Sequence, residues 1–218
     1  MSKKKLTCHC RGVEAEVEVP ESGFKKIMRC NCSICKRKGY IIGVVQPDDF
    51  KLTKGEELLT LYQFYTNTAK HYFCKICGIH THNRPRSNPK IYGINIACVE
   101  GVKPFEIKIK LKEKSNDYYR CNCSICKRKG SITTIVNKKD LEIVKGVEKI
   151  KFYQFNTKTA KHFFCSVCGI NTHNLRRSDP NTYGVNVGCL EDISTKELFE
   201  FKVRVNDGKN HKMDRIEK

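Results

Sequence analysis

Tryptophan is absent from the 218-residue chain, methionine is scarce, and acidic residues are too few to balance the basic ones. There are 23 aspartates and glutamates against 42 lysines and arginines, which gives a formal net charge of +19. Long apolar runs are also lacking, which argues against a membrane-spanning helix, and the basic start Met1–Lys5 has no apolar segment behind it. We therefore expect an intracellular protein of the cytoplasm, the nucleus or both, with no membrane partner.

Cysteine, by contrast, is abundant, with 14 residues in the chain. Hydrophobic residues make up 39% of the sequence, which is enough to build the core of one large domain or of two domains of about 100 residues. Proteins outside the secretory route rarely form disulfides, because their compartment keeps thiols reduced. The cysteines are therefore predicted to bind metal as thiolates rather than to pair with one another.

The cysteines repeat along the chain. Every cysteine from Cys30 to Cys98 recurs 91 positions later, and 39 of the 69 residue pairs compared at this offset are identical. The segment Cys30–Gly39 returns unchanged as residues 121–130. Such a long gapless match indicates a tandem duplication of one domain. We assign the first copy to residues 1–108 and the second to residues 109–218, and the two copies are candidates for an internal pseudo-dimer.

One segment was not copied, and one strand is ambiguous. Cys8-His9-Cys10 corresponds to Val99-Glu100-Gly101, so the second copy lacks the leading cysteine pair. The alternating segment Phe105–Leu111 matches the opening strand of the first copy by offset, and its closing strand by distance from the last shared cysteine. Our hypothesis is that this strand is shared between the copies or that the second copy is truncated, with the boundary between about 100 and 115.

The fold is predicted to be mainly β. Val13–Val19 and Phe199–Val205 alternate apolar and charged residues, as half-buried strands do. No long amphipathic helix is evident, and only a short helix or turn is expected after Cys32 or near Pro47–Phe50. The class is therefore mainly β, with two zinc-binding domains and few or no long helices.

The first predicted metal site has four thiolates. Cys74 and Cys77 form a C-x-x-C turn followed by glycine, a spacing that aims two sulfurs at one ion. Cys8 and Cys10 lie on the same face if their segment is a strand, and together the four close a structural site. The matching turn of the second copy, Cys165 and Cys168, has lost its partners. A pairing of Cys8 and Cys10 with that second turn is the alternative, and it would orphan Cys74 and Cys77.

The other predicted sites are two three-cysteine groups, one in each copy. Cys-x-Cys-x-x-Cys supplies three thiolates from one loop and leaves a fourth position open, as in catalytic zinc. The alternative is that Cys98 or Cys189 closes each triplet. These two cysteines lie in the apolar strands Ile94–Val99 and Val185–Leu190, where a buried free cysteine is the commoner interpretation. We expect three zinc ions bound by ten thiolates. The two triplets are Cys30, Cys32 and Cys35, and Cys121, Cys123 and Cys126.

These motifs together resemble the glutathione-dependent formaldehyde-activating enzymes, and within them the centromere protein V-like branch. The resemblance is carried by Cys8-His9-Cys10, the first triplet, His71-x-Phe73-Cys74-x-x-Cys77-Gly78 and Pro85–Pro89. It implies a zinc-binding fold of two antiparallel sheets leaning together as a tent. It also implies that the four-thiolate site is structural and that both triplets are of the catalytic type. Arg11, between Cys10 and Gly12, departs from the family pattern.

The resemblance implies addition of a thiol to formaldehyde or a related small carbonyl, or the reverse, which is carbon–sulfur lyase chemistry with glutathione as co-substrate. The two carboxylates of glutathione suit the basic residues that follow the triplets. His71 and His162 can relay protons or can simply pack in strands, and His82 and His173 are weaker candidates. The basic residues assigned to the cofactor are Lys36, Arg37, Lys127 and Arg128.

The charge supports a rival interpretation. An excess of basic residues attracts nucleic acid or acidic protein surfaces, so a zinc module without catalytic activity that binds chromatin, nucleic acid or the cytoskeleton is the alternative. Aromatic residues are not interleaved with the basic runs as in a single-strand binder, and no recognition helix is evident. The sequence therefore favours the enzyme.

Overall fold

A computed structural model describes residues 1–102, 117–143, 146–190, 193–194, 197–198 and 203–206. Over these residues the protein is mainly β with two short α-helices, so the predicted fold class is confirmed. The alternating segment Phe105–Leu111 lies outside the described residues, and so does most of Phe199–Val205. The boundary between the copies and the hypothesis of a shared strand therefore stay predictions.

The first copy builds two antiparallel sheets. The smaller sheet has the order β1-β2-β5, and the alternating residues of β2 put Ala15, Val17 and Val19 into the core while the glutamates between them face outwards. The larger sheet has the order β3-β4-β9-β8-β7-β6. The strands are β1 Ser2–Thr7, β2 Glu14–Val19, β3 Ile27–Met28, β4 Ile42–Val45, β5 Phe50–Lys54, β6 Leu59–Tyr62, β7 Lys70–Cys74, β8 His80–Arg84 and β9 Tyr92–Asn95.

The second copy repeats the larger sheet strand for strand and adds one strand at its edge. The order is β12-β13-β14-β15-β11-β10-β16, and β16 pairs with β10 in parallel, the one exception to the antiparallel pairing among the described strands. The strands are β10 Tyr118–Cys121, β11 Thr133–Asn137, β12 Ile150–Tyr153, β13 Lys161–Cys165, β14 Asn171–Leu175, β15 Thr182–Asn186 and β16 Val203–Asn206.

A short α-helix begins after the second cysteine of each triplet and contains the third. These helices are α1 Ser33–Lys38 and α2 Ser124–Lys129. Both helices end on a glycine in the left-handed region, Gly39 at φ 69° and Gly130 at φ 65°, which a residue with a Cβ would occupy only at a cost. The expected short helix after Cys32 is thus confirmed. Short 3-10 helices span Pro47–Asp49, Glu56–Leu58, Ile96–Cys98, Lys138–Asp140, Val147–Lys149 and Val187–Cys189.

The strands predicted around the last shared cysteines are shorter than expected. Strand β9 ends at Asn95 and β15 ends at Asn186, so the assignment of Cys98 and Cys189 to strands is wrong. The asparagine side chain accepts a hydrogen bond from the backbone N–H two residues ahead, which caps a 3-10 turn and breaks the ladder. Both cysteines lie at the ends of these turns.

The two copies contact each other through equivalent residues. Asn95 donates its side-chain N–H to the carbonyl of Arg128, and Asn186 donates to the carbonyl of Arg37, both at 2.9 Å. Gly39 and Gly130 approach so closely that a Cβ on Gly39 would lie 2.5 Å from the carbonyl oxygen of Gly130. Each contact is repeated with the roles of the copies exchanged, as across a two-fold axis.

Aromatic side chains and the core also cross between the copies. The ring of Phe164 packs on Gly78 and the ring of Phe73 packs on Gly169, again as an equivalent pair. Ile125 of α2 is fully buried in the core cluster formed by the first copy. The triplet helices therefore lie between the copies rather than on the outside of either one.

Candidate metal centres

The four-thiol cluster forms as its spacing predicts. The sulfur of Cys10 lies 3.5 Å from that of Cys8 and 3.6 Å from that of Cys74, and these three and the sulfur of Cys77 all lie within 4.8 Å of one another. The loop between β1 and β2 brings the first pair, and the turn after β7 brings the second. Four ligands 2.3 Å from one ion form a tetrahedron with edges of about 3.8 Å, so the group fits a zinc ion.

Backbone contacts support the cluster on both sides. Gly78, at φ 68°, closes the turn after Cys74 by donating its N–H to the carbonyl of that residue at 2.8 Å. On the other loop, the N–H of Val13 donates to the sulfur of Cys8 at 3.3 Å, which stabilises a thiolate there. Arg11, the residue that departs from the family pattern, also has a positive φ of 60°.

Both triplets also gather their thiols, at the start of α1 and α2. The three sulfurs of each triplet lie within 4.8 Å of one another. The middle cysteines, Cys32 and Cys123, stand at the N-cap position, where the backbone is extended and turns into the helix. In the part of the chain that the structure describes, no fourth histidine, cysteine, aspartate or glutamate joins either group. Three thiols per group can bind a metal ion and leave a coordination position to another ligand.

Cys98 and Cys189 do not belong to the triplets. The thiol of Cys98 donates to the carbonyl of His80 at 3.8 Å, and that of Cys189 donates to the carbonyl of Asn171 at 3.7 Å. Burial raises the pKa of Cys98 to about 12 and that of Cys189 to about 11. These two residues are therefore neutral thiols bonded to the backbone, which leaves the alternative of closed triplets without support.

Cys165 and Cys168 repeat the C-x-x-C turn of the first copy without its partners. Gly169 donates its N–H to the carbonyl of Cys165 at 2.8 Å, so the turn itself is preserved. Among the described residues, no cluster of three or more ligating side chains includes either thiol. Because Cys8 and Cys10 lie with the turn of the first copy, the alternative exchange between the copies does not occur.

A cavity of about 340 Å³ opens at the triplet of the second copy. All three thiols of this triplet lie on its wall, together with aromatic, polar and basic side chains. The lining residues from the strands and the loops include Phe155, His162, Asn171, Asn174, Arg176 and Arg177. A cavity of this size suits a small ligand.

A buried lysine–histidine pair stands behind each triplet. The Nζ of Lys38 lies 2.7 Å from Nδ1 of His71, and that of Lys129 lies 3.0 Å from Nδ1 of His162. Burial lowers the pKa of Lys38 to about 8 and, together with the lysine charge, lowers that of His71 to about 3. The histidines are therefore neutral and accept the lysine N–H.

The basic residues predicted to bind a cofactor lie elsewhere. Lys36 donates its Nζ to the carbonyl of Ile193. Arg37 and Arg128 donate to carbonyls at the start of their own helices, at 2.7 and 2.8 Å. None of these residues lines the cavity, nor does Lys127, whereas Lys129 does. The helical spacing is the signal that finds Lys129, since it lies three residues after the last cysteine of its triplet and shares its face of α2.

Two further histidines pack inside the sheets. His82 stacks on Tyr72 at 4.5 Å between ring centroids, and His173 stacks on Phe163 at 4.3 Å. Both rings are buried, and neither lines the cavity. Their role is therefore in packing.

Comparison with known proteins identifies the family of the chain. A family model described as glutathione-dependent formaldehyde-activating enzyme matches residues 3–106 and again residues 105–205. A crystal structure of a Rhodobacter sphaeroides protein, a structural genomics target, is 51% identical and covers 47% of this chain and 94% of its own, with a TM-score of 0.45. Over the described residues, no helix is long and apolar enough to cross a membrane. Because the two family matches together span nearly the whole chain, the chain belongs to the glutathione-dependent formaldehyde-activating enzyme family and carries its domain twice.

Proposed function

We propose that the chain binds three zinc ions and catalyses the addition of a thiol, with glutathione as co-substrate, to formaldehyde or a related small carbonyl, or the reverse reaction. The observation that carries this proposal is the triplet Cys121, Cys123 and Cys126, whose three thiols lie together on the wall of the cavity. Membership of the family supports a lyase-like activity. A cluster closed by four side chains would have no place for a substrate.

In this proposal, side chains on the wall of the cavity transfer the proton of the reaction. Zinc held by three thiolates supplies an open position at which a thiol is activated or a carbonyl is polarised. The thiol sulfur attacks the carbonyl carbon, a carbon–sulfur bond forms, the carbon–oxygen π bond breaks, and the thiol proton ends on the new hydroxyl. Lys129 lies on the cavity wall and donates an N–H to the neutral His162 at 3.0 Å, so it can give a proton to the carbonyl oxygen and be restored by the proton of the thiol.

Other residues of the cavity suit the carboxylates of glutathione. Arg176 and Arg177 lie on the wall with Lys129, so positive charge comes from the loop after β14 and from α2. Arg176 is held by a hydrogen bond of 2.9 Å from Nη1 to the hydroxyl of Thr182. We therefore place carboxylate binding at these residues rather than at Lys36, Arg37, Lys127 and Arg128, the basic residues predicted from the sequence.

The experiment compares two cysteine variants of the second copy. The zinc-loaded protein is mixed with glutathione and formaldehyde, and the rate of S-hydroxymethylglutathione formation above the uncatalysed rate is followed by NMR. Cys123→Ser is expected to lower the catalysed rate by at least about 100-fold, since it removes a ligand of the metal that activates the substrate. Cys189→Ser, at a buried cysteine outside the clusters, is the matched control and is expected to stay within about threefold of the parent.

Metal content is measured on the same samples. The proposal expects three zinc ions in the parent and in Cys189→Ser, and two in Cys123→Ser. A parent that carries three zinc ions without accelerating the reaction would contradict the lyase function. Equal losses of rate in both variants at equal metal content would show that the triplet has no special part in the reaction.

The net charge of +19 favours a second candidate, a zinc module that binds a polyanion. Its test is a titration with a fluorescent duplex DNA at several salt concentrations. A steep, linear loss of log affinity with log salt, in a protein that does not accelerate the thiol reaction, would favour this candidate. Catalysis with only weak binding at physiological salt would favour the lyase.

A further inference from the structure

We infer that the substrate thiol binds at the triplet of the second copy only, because Tyr40 fills the equivalent space in the first copy. This inference rests on the proposed function and assigns it to one of two triplets that are identical in sequence from Cys30 to Gly39 and from Cys121 to Gly130. The difference lies in the residues around the triplets.

The first difference is at the residue after the helix-ending glycine, where the first copy has Tyr40 and the second has Ser131. Tyr40 is only 6% exposed. Its hydroxyl accepts a hydrogen bond from Nζ of Lys38 at 3.4 Å and donates to Oδ1 of Asn83 at 3.3 Å. The tyrosine side chain therefore occupies the space between a lysine and an asparagine next to the triplet.

The same three positions surround open space in the second copy. Lys129, Ser131 and Asn174 are the equivalents of the lysine, the tyrosine and the asparagine, and all three line the cavity of about 340 Å³. A serine lacks the aromatic ring that bridges the other two side chains in the first copy. An aromatic side chain is large and buries roughly 150–250 Å² of surface, so its replacement by serine leaves space beside the second triplet.

A second difference between the copies also leaves more space beside the second triplet. His80 packs beside Tyr40 with the ring centroids 6.3 Å apart, and it is buried. Its equivalent, Asn171, lines the cavity of the second copy. Two ring side chains in the first copy thus correspond to two small polar side chains in the second. The space beside the second triplet is therefore wider.

The first copy also completes the wall of the second site. His9, between the two leading cysteines, places Nε2 2.9 Å from the hydroxyl of Ser124 and Nδ1 3.0 Å from that of Tyr153. Its ring lies 4.4 Å from that of Phe155, centroid to centroid. Ser124 and Phe155 both line the cavity, so the four-thiol loop of one copy supports the triplet of the other.

No equivalent support reaches the first triplet from the described residues. The positions that match Cys8-His9-Cys10 are Val99-Glu100-Gly101. These residues run beside β1, where Glu100 donates its N–H to the carbonyl of Lys5 at 2.9 Å and Val99 bridges to Leu6. The segment is therefore used within the first copy, and it offers α1 no histidine equivalent to His9.

The test counts thiol sites on the protein loaded with cobalt, whose sulfur-to-metal charge-transfer bands report a thiol that joins the metal. Glutathione is titrated by calorimetry and by absorption. We expect one glutathione per parent chain. Ser131→Tyr, which rebuilds the first copy's closure in the second, is expected to lose this binding while keeping three metal ions. Tyr40→Ser, the reciprocal variant, is expected to keep the parent site. The double variant that combines Tyr40→Ser with His80→Asn is expected to gain a second glutathione site.

The outcomes separate the two proposals. Two glutathiones per parent chain, or a full site in Ser131→Tyr with three metals bound, would overturn the inference and leave the lyase function standing. One glutathione per chain, lost in Ser131→Tyr, upholds the inference even if no formaldehyde reacts, in which case the proposed reaction fails alone. Binding that survives in Ser131→Tyr but disappears in Tyr40→Ser would place the site in the first copy and overturn the inference as well.

Discussion

The two copies of the domain share a sheet order and identical triplet segments, yet they differ at the two places that matter for chemistry. The first copy has a complete cluster of four thiols, and a buried tyrosine beside its triplet. The second copy has lost half of the four-thiol cluster and has an open cavity at its triplet. Ligand spacing alone therefore does not decide whether a metal centre can meet a substrate, because the residues around the ligands set the space.

The contacts between the copies explain how one copy tolerates the loss of its structural site. The triplet helix of the second copy is buried partly against the core of the first, through Ile125. Reciprocal hydrogen bonds and ring contacts repeat this support on both sides of the interface. The folding free energy that a metal at the four-thiol cluster would supply to the first copy is thus replaced in the second copy by packing against the first.

The largest expected effect comes from one equivalent pair of cysteines, Cys77 and Cys168. Cys77→Ser removes a ligand of the closed cluster, so it should lose one metal ion and lower the free energy of unfolding by more than about 3 kcal/mol. Cys168→Ser changes a thiol outside any described cluster and should cost less than about 1 kcal/mol. Elemental analysis and chemical denaturation measure both. Equal effects would mean that the second turn also holds a structural metal.

The next effect should be equal in the two copies. Asn95→Ala and Asn186→Ala each leave the carbonyl of a triplet helix in the other copy, that of Arg128 or Arg37, without its hydrogen bond. Unpaired buried groups cost about 1–3 kcal/mol, so each variant should lose about that much stability. Chemical denaturation measures the loss.

Asn88→Ala is the control for this pair, since Asn88 is exposed and its side chain accepts a hydrogen bond from the nearby N–H of Lys90. It should change stability by less than about 0.5 kcal/mol. A loss confined to Asn95→Ala or to Asn186→Ala would contradict the reciprocal interface, because the two bonds have the same length and the same kind of partner.

A smaller difference between the copies is expected in acid. Burial lowers the pKa of His82 to about 3 and that of His173 to about 4, below the ordinary value of about 6.5. Each group therefore stabilises the fold fully above pH 6.5, and this stability is lost as the pH falls towards the folded pKa, because the unfolded chain binds the proton first. The loss is at most about 1.4 kcal/mol per pH unit for each histidine.

Comparing His82→Gln with His173→Gln tests the difference between the pKa values of the two histidines. Both variants should flatten the fall in unfolding free energy between pH 6.5 and 4, and the first should continue to do so down to about pH 3, because its histidine resists protonation over a wider range. Denaturation at each pH, with metal content measured in parallel, gives the curves. Identical curves for the two variants would show that the two rings are equally shielded.

Much of the fold and of the ligand sets could be predicted from the sequence, because both depend on local patterns. The alternation of apolar and charged residues in Val13–Val19 predicted β2. The spacing of the cysteines predicted three groups of ligands, and all ten cysteines lie in these groups in the structure. A ligand pair in a tight turn is brought together by the turn itself, so the rest of the fold has little influence on it. The ends of β9 and β15 were not predicted. An apolar run favours a longer strand there, but the side chain of one asparagine caps a 3-10 turn and ends the strand.

The character of each site depends on contacts between distant segments, which no local pattern records. Lys129 meets His162 across 33 residues, and Tyr40 reaches Asn83 across 43. The substitution of Tyr40 by Ser131 is visible when the copies are aligned, but only the structure shows that the tyrosine side chain lies beside the triplet. The same holds for Arg176 and Arg177 of the cavity, which come from a loop far from the cysteine motif.

The smallest effect should come from the contact that most clearly separates the copies, the histidine of the four-thiol loop. His9→Ala removes two hydrogen bonds to hydroxyls of the second copy and the ring contacts with Tyr153 and Phe155. We expect glutathione to bind the second site about 3- to 10-fold more weakly, equivalent to about 0.7–1.4 kcal/mol, at an unchanged content of three metal ions. Calorimetry measures the affinity. His9→Gln, which keeps a donor and an acceptor, should recover part of the loss, whereas equal affinity in all three proteins would mean that the loop packs against the second site without shaping it.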